Sequence, residues 1–257
     1  MSNVIKPLLS QCLRQLHLPS FSANFAAQGA IAANEGWPYD QYLLNLCEME
    51  ISQRQTRKVT RLLIASRLPA GKTLSSFDRT RLPAPVNRKL DVLLEGDFLE
   101  RRENVLAFGN PGSGKTHLIA ALGHELVQKG KSVYFATCSL LVQRLLKAKA
   151  ELTLEKELRR LDKFDALLID DIGYVQHTRE EMEVLFTLLA YRYELRSVLI
   201  TSNLVFSQWE KIFKDPMTTA AAIDRLVHHS IILELNMASY RMATAQKSKT
   251  REVTAKA

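Results

Sequence analysis

The residues of this chain best suited to chemistry lie in the segment Gly109-Asn110-Pro111-Gly112-Ser113-Gly114-Lys115-Thr116. The segment matches G-x-x-x-x-G-K-[ST] at every fixed position, which is the pattern of a loop that binds nucleotide phosphates. In such a loop, backbone N–H groups and the positive end of the next helix face the phosphates. The pattern predicts that this segment and the adjacent His117 bind ATP, with Lys115 on the phosphates and Thr116 on Mg²⁺.

Two further polar clusters follow apolar runs. Asp170 and Asp171 come directly after the run 164–169, and Asn203 ends the run 197–203. At the carboxyl end of a buried strand, Asp170 would hold the magnesium and Asp171 would polarise the attacking water. An amide at the position of Asn203 could orient that water or contact the γ-phosphate. We therefore expect Lys115, Asp170, Asp171 and Asn203 to be catalytic.

The elements that must position these residues alternate between strand and helix. Apolar runs at 103–108, 131–137, 164–171, 197–203 and 230–235 predict five buried strands. Apolar residues at helical spacing fill the intervening segments, with one uninterrupted helix expected over 139–161. Strand, helix and strand at this spacing indicate an α/β domain with a five-stranded parallel sheet.

The N-terminal segment reads differently. Residues 3–68 are predicted to form about three helices, broken near Pro19 and Gly36. On the last helix four cations fall at i, i+3, i+4 and i+7 and so share one face: Arg54, Arg57, Lys58 and Arg61. The face suits DNA phosphates, but an ordinary solvated face is the alternative.

The net positive charge lies at the two ends of the chain. The total is +8, with +4 in residues 1–76, +4 in residues 236–257 and zero between them. An acidic partner, above all nucleic acid, would therefore meet the two ends. The three cysteines lie in no metal-ligand spacing, and neither a membrane span nor a signal peptide is evident. These features favour an intracellular protein with reduced cysteines.

Composition also suggests domain bounds. We expect a helical DNA-binding domain over 1–68, a linker rich in Pro, Gly and Ser over 69–87, an ATPase domain over 88–245, and a basic, flexible tail over 246–257.

The order of these motifs resembles an AAA+ ATPase of the DnaA and DnaC type, the clade of replication initiators and helicase loaders. More closely, the chain resembles IstB, the family of ATPase helpers of an insertion-sequence transposase. The specific part is Asp-Arg-Leu-Val-His-His-Ser at 224–230 together with Ser-Tyr-Arg at 239–241. The resemblance implies a P-loop AAA+ fold of three αβα layers behind a small all-helical domain.

The resemblance also implies roles for particular residues. Arg225 would be an arginine finger that reaches the nucleotide of a neighbouring copy, although a surface ion pair with Asp224 explains it equally well from the residues alone. Arg241 would be a nucleotide sensor. The family's helical insertion lines the DNA path, so the resemblance implies that Lys147 and Lys149 contact DNA. The family usually has Glu where this chain has Asp171, so slow hydrolysis is expected.

The function implied is an ATP-dependent factor that forms a homo-oligomer through its ATP interfaces on duplex DNA. Its partner would be the cognate transposase, which it would help in target capture and stimulate. The alternative is a DnaC-like replicative helicase loader, which would bind a helicase through the N-terminal helices. A small-molecule kinase is disfavoured because no second substrate site or Arg-rich lid is evident.

Overall fold

A computed structural model describes residues 2–173, 178–213 and 215–240. The chain divides into two compact units, Met1–Arg61 and Leu62–Ala257. The division falls inside a helix, so the domain bounds proposed from composition remain a prediction. Arg241 lies outside the described residues.

Three helices make up the N-terminal unit, as the sequence predicts: α1 (Ser2–Gln15), α2 (Pro19–Glu35) and α3 (Tyr39–Ser66). α2 ends at Gly36, whose left-handed backbone (φ 66°) lets its N–H bond Ala32. α1 packs against α2. The buried Glu50 of α3 accepts a hydrogen bond of 2.8 Å from the Ser20 N–H and so ties α3 to α2.

In the second unit, α4 (Ala84–Glu95) precedes five strands. These are β1 (Asn104–Gly109), β2 (Val133–Thr137), β3 (Ala166–Ile172), β4 (Ser197–Ser202) and β5 (Ser230–Leu235). Between them lie α5 (Lys115–Gln128), α6 (Cys138–Ala150), α7 (Leu154–Leu161), α8 (Arg179–Arg192), α9 (Glu210–Phe213) and α10 (Pro216–Val227).

All five strands form one parallel sheet in the order β2-β3-β4-β1-β5. The central strands β1 and β4 are buried along their whole length because helices cover both faces. α5 packs on β1, β3 and β4, while α6 packs on β2 and β3 and also contacts α8, which contacts α10. The predicted three-layer α/β domain with a five-stranded parallel sheet is confirmed.

One predicted element is wrong. The sequence suggested a single helix over 139–161, but α6 ends at Ala150 and α7 begins at Leu154. Leu152 adopts a left-handed conformation (φ 55°), and the Thr153 N–H bonds back to the Ala148 carbonyl at 2.8 Å. This closure ends the helix without Gly or Pro, so the residue types give no warning of it. Among the described residues, no helix combines the length and the apolar character needed to cross a bilayer.

Candidate functional site

The loop between β1 and α5 has the geometry of a phosphate cradle. Gly112 and Gly114 have φ values of 80° and 97°, which residues with a Cβ rarely adopt. Gly109 lies so close to the Leu235 carbonyl that a Cβ there would overlap it. The glycines therefore allow the loop to turn tightly at the carboxyl ends of β1 and β5.

α5 begins at Lys115 without a side-chain cap. The first N–H groups of an α-helix have no partner within the helix, so they are available to an anion in the loop. The Lys115 ammonium is buried and donates to the carbonyls of Gly109 at 2.8 Å and Asn110 at 3.0 Å. This folded-back position keeps the cation at the loop, within reach of a bound phosphate.

A cavity of about 440 Å³ opens beside this loop, a size typical of small-molecule sites. Its walls include Pro111, Gly112, Ser113, Gly114, Lys115, Thr116 and His117 of the loop, Asp171 and Asn203 of the strand ends, and Met237 and Tyr240 after β5. Thus seven of the nine residues predicted to bind nucleotide border one cavity, and two of the predicted catalytic side chains join them.

The residues present fit a nucleoside triphosphate. Asn203 Oδ1 and Ser113 Oγ are both buried and have no hydrogen-bond partner among the described residues. Such buried polar atoms are costly unless something bonds them. A polyphosphate with its water or hydrated cation would supply the missing partners at the position where the loop amides and Lys115 supply positive charge.

Asp170 and Asp171 occupy a β-bulge near the end of β3. Ile169 pairs with Ile200 but Ile172 pairs with Ser202, so β3 has one extra residue over this stretch. Asp170 is buried, whereas Asp171 is exposed and left-handed (φ 60°). The bulge therefore gives the two carboxylates different surroundings: Asp171 borders the cavity, whereas Asp170 is buried next to it in the sequence. The strand itself extends to Ile172, beyond the end expected from the sequence.

Thr201 of β4 holds this bulge, and the sequence-based search did not single it out. Its hydroxyl donates to Asp170 Oδ1 at 2.6 Å and accepts from the Asp171 N–H at 2.8 Å. A buried polar residue within the apolar run of β4 is the signal that could have revealed it.

The segment before α4, predicted as a linker, also borders the cavity. Phe77 packs edge-on against His117 with ring centroids 5.0 Å apart, and a Cβ on Gly114 would lie 3.3 Å from the Phe77 ring. His117 Nε2 lies 3.0 Å from the Thr73 carbonyl and 3.2 Å from Ser76 Oγ. Arg81 donates to the Ala238 carbonyl at 2.9 Å and stacks over Tyr240. Residues 72–81 and 237–240 thus form walls of the same cavity.

Arg225 is not part of this cavity. It lies on α10, half-buried, with its guanidinium 5.0 Å from the centre of the Phe186 ring. The next turn leads into Ser230, which pairs with Asn104 at the start of β1, and Asn104 Nδ2 donates to the Leu226 carbonyl at 3.2 Å. The phosphate loop leaves the other end of β1, about 17 Å away at about 3.3 Å per residue. Arg225 and the loop of the same chain therefore lie at opposite edges of the sheet.

The cations predicted to contact DNA differ in their partners. Arg54 is bound to the buried Glu50 at 2.7 Å and to the His17 carbonyl at 2.6 Å. Burial raises the pKa of Glu50, but the hydrogen bonds from Arg54 and Ser20 outweigh this effect, so that the pKa stays below its usual value. Arg57, Lys58 and Arg61 are exposed and show no ion pair within the described part of the chain.

The two predicted cations of α6 are exposed and paired. Lys147 lies 3.8 Å from Glu151, and Lys149 lies 3.4 Å from Glu183. Exposed pairs of this kind contribute little to stability, so either lysine could exchange its carboxylate for a phosphate at small cost.

Sequence comparison identifies relatives over nearly the whole chain. The family model for IstB-like ATP-binding proteins matches residues 11–248. An insertion-sequence ATP-binding protein of Sinorhizobium fredii is 42% identical over 238 residues, covering 92% of this chain and 80% of the relative.

Structural comparison shows that the fold resembles those of DnaA and of the DnaC helicase loader. AMPPCP-bound DnaA from Aquifex aeolicus aligns with a TM-score of 0.54 at 20% identity, over 73% of this chain and 56% of that protein. The DnaC helicase loader aligns with a TM-score of 0.54 at 20% identity, over 64% of this chain and 97% of that protein. At these identities the likeness concerns the fold alone.

Proposed function

The chain belongs to the family of IstB-like ATP-binding proteins, and on that premise we propose that it is an ATP-hydrolysing assembly factor of an insertion sequence. Copies of the chain join through ATP, the oligomer binds duplex DNA, and the DNA-bound oligomer captures the target and stimulates the cognate transposase. Such a factor works on the nucleoid in the bacterial cytosol. The relative from Sinorhizobium fredii is itself named as an insertion-sequence ATP-binding protein.

The observation that carries this proposal is the position of Arg225 at the sheet edge opposite the phosphate loop. A guanidinium there lies too far away to reach the nucleotide of its own chain. In a head-to-tail assembly, the same edge would face the phosphate loop of the next copy. An arginine supplied in this way contributes roughly 10³–10⁵-fold to the rate of nucleotide hydrolysis. ATP would thus act both as substrate and as the joint between copies.

Within one chain, residues at the carboxyl ends of the strands would bind the phosphates, the magnesium ion and the attacking water. The loop amides and Lys115 bind the phosphates, while the Thr116 hydroxyl and Asp170 would hold Mg²⁺, which neutralises charge on the β- and γ-phosphates. Asp171 accepts a hydrogen bond from the attacking water, and Asn203 orients that water through its amide oxygen, which has no partner among the described residues.

DNA binding is assigned to the exposed face of α3, with Lys147 and Lys149 as secondary contacts. Arg57, Lys58 and Arg61 are free to bind phosphates because carboxylates do not pair with them among the described residues. Arg54 contributes chiefly to the packing of α3, since it neutralises the buried Glu50. Phosphate contacts of this kind give affinity with little sequence preference.

The experiment is a gel shift on duplex DNA with ATP, with ADP, and with a triple variant, Arg57→Ala/Lys58→Ala/Arg61→Ala. The matched control is Arg101→Ala/Lys129→Ala/Lys131→Ala, which removes the same charge from ion-paired positions in the ATPase unit.

We expect tighter binding with ATP than with ADP. The α3 variant should also flatten the dependence of log affinity on log salt by about 0.9 for each DNA phosphate that the variant no longer neutralises. DNA affinity that is the same with ATP and with ADP, or that falls equally in both triple variants, would contradict the proposal.

A further inference from the structure

A cluster of metal-ligand side chains lies at the sheet edge opposite the phosphate loop. Glu194 follows the end of α8, and His228 and His229 connect α10 to β5. The donor atoms of these three side chains, one from each, all lie within 4.8 Å of one another. Across the described ranges, no other group of three or more His, Cys, Asp or Glu side chains comes as close together.

The spacing is close to what a metal ion requires. In a tetrahedral site with bonds of about 2.1 Å, neighbouring donor atoms lie about 3.4 Å apart. All three side chains are exposed, so small rotations about their side-chain bonds bring the donors from the observed separation to this distance. The imidazole rings are already in contact, with centroids 4.2 Å apart and edge-to-face orientation.

Tyr193 lies beside one of the candidate ligands. His228 Nδ1 lies 3.3 Å from the Tyr193 hydroxyl oxygen. In the tautomer whose Nδ1 donates to that oxygen, Nε2 keeps its lone pair and is the nitrogen that could bind a metal ion. Hydrogen bonds of this kind to the second nitrogen of a ligating histidine are a regular feature of metal sites.

The backbone that carries these ligands is anchored on both sides. Glu194 is left-handed (φ 57°), and its carbonyl accepts a hydrogen bond of 2.8 Å from Arg102. The His229 carbonyl accepts a hydrogen bond of 2.7 Å from the Asn104 N–H. A left-handed residue just after a helix is a common helix ending, and in this conformation Glu194 lies beside the two histidines.

From this arrangement we propose that Glu194, His228 and His229 form a binding site for a divalent transition-metal ion such as Zn²⁺, Ni²⁺ or Cu²⁺. Two imidazoles and one carboxylate suit these ions, whereas Mg²⁺ and Ca²⁺ prefer oxygen ligands alone. A fourth, open position would be taken by water. The ion would link the end of α8 to the end of α10. This site is separate from the phosphate loop, and its occupancy does not depend on the proposed function.

The test is titration of the untagged, full-length, nucleotide-free chain with Zn²⁺ in competition with a chromogenic chelator. We expect one ion per chain with a dissociation constant on the order of 1–10 μM, as befits an exposed three-ligand site. His228→Ala, His229→Ala and the nearly isosteric Glu194→Gln should each weaken binding by about 10-fold or more. The matched control is His17→Ala, which removes an exposed histidine from the N-terminal unit.

Copper provides a second readout that reports the ligands directly. The electron paramagnetic resonance spectrum of the Cu²⁺-loaded chain should show coupling to two imidazole nitrogens, and to one in each single histidine variant. Circular dichroism of every variant shows whether the fold is retained. The proposal is overturned if Zn²⁺ fails to bind below about 100 μM, or if binding and copper coupling are unchanged when His228 and His229 are both replaced.

Discussion

The two edges of the parallel sheet differ in what a single chain can complete. At the carboxyl edge, the phosphate loop, Asp171 and Asn203 border one cavity, and the buried Asn203 oxygen lacks a hydrogen-bond partner within the described part of the chain. At the amino edge, Arg225 has no nucleotide to act on within its own chain. On the proposed function, one edge binds the nucleotide, and the other carries a catalytic arginine for a neighbouring copy. ATP binding would then be a property of the chain and rapid hydrolysis a property of the assembly.

The largest effect is predicted for replacement of Arg225. Arg225→Ala should lower ATP turnover by roughly 10³-fold or more, because the transition-state charge loses its guanidinium. The affinity for ATP of the unassembled chain should stay unchanged, since Arg225 does not border the cavity. Steady-state turnover and equilibrium nucleotide binding measure the two quantities. Arg179→Ala, an exposed arginine on α8 that pairs with Glu183, is the matched control.

Mixing two inactive variants makes the same comparison sharper. Lys115→Ala impairs the carboxyl edge and leaves Arg225 in place, whereas Arg225→Ala does the reverse. A mixture should regain part of the wild-type turnover, because the first variant supplies an arginine to the intact cavity of the second. If the mixture stays as inactive as its components, Arg225 does not act between copies.

The second prediction concerns the carboxylate that borders the cavity. Asp171→Asn should lower turnover by about 10²-fold or more, since the attacking water loses its hydrogen-bond acceptor. Asn tolerates a left-handed backbone as Asp does, so the bulge should survive and ATP affinity should change little. Turnover at saturating ATP provides the measurement. A variant with near-wild-type turnover would show that Asp171 is not the group that activates water.

The conformation of Asp171 also bears on the residue that the IstB resemblance leads one to expect there. Glu would bring its carboxylate about one methylene closer to the water, but the φ of 60° disfavours a side chain that cannot bond its own backbone locally. We therefore expect Asp171→Glu to raise turnover and to lower the free energy of unfolding by about 1 kcal/mol.

The features that could be predicted from the sequence are those that depend on consecutive residues. The phosphate loop and the five strands follow from contiguous patterns: fixed glycines before Lys115, and apolar runs of strand length. The features that could not be predicted depend on register or on chain reversal. The bulge at Asp170 and Asp171 exists because β3 and β4 pair out of step, and Glu194 meets His228 only because two turns adjoin.

The cation face of α3 shows an intermediate case. Its four positive charges were evident from spacing, and the fourfold cluster suggested one uniform surface. Glu50 lies four residues before Arg54, a spacing that already permits an ion pair. What the sequence could not show is that Glu50 is buried, which makes the pair part of the packing of α3.

The smallest predicted effect concerns Thr201, which acts on the site only through its neighbours. Thr201→Val keeps the shape of the side chain but removes the hydroxyl that joins Asp170 Oδ1 to the Asp171 N–H. The free energy of unfolding should fall by about 1–3 kcal/mol, because two groups of the bulge lose their hydrogen-bond partner.

The loss of the hydroxyl should also affect turnover more than the Michaelis constant for ATP. Turnover should drop by about 10-fold as the carboxylates shift, whereas the Michaelis constant for ATP should stay near the wild-type value, since the phosphate loop is untouched. Thr187→Val is the matched control, because its hydroxyl donates to the Glu183 carbonyl on the exposed side of α8, away from the bulge. Equal losses of turnover in the two variants would assign the effect to general destabilisation. A selective loss in Thr201→Val would show that the register of β3 against β4 positions the catalytic carboxylates, and hence that catalysis depends on the carboxyl edge as a unit.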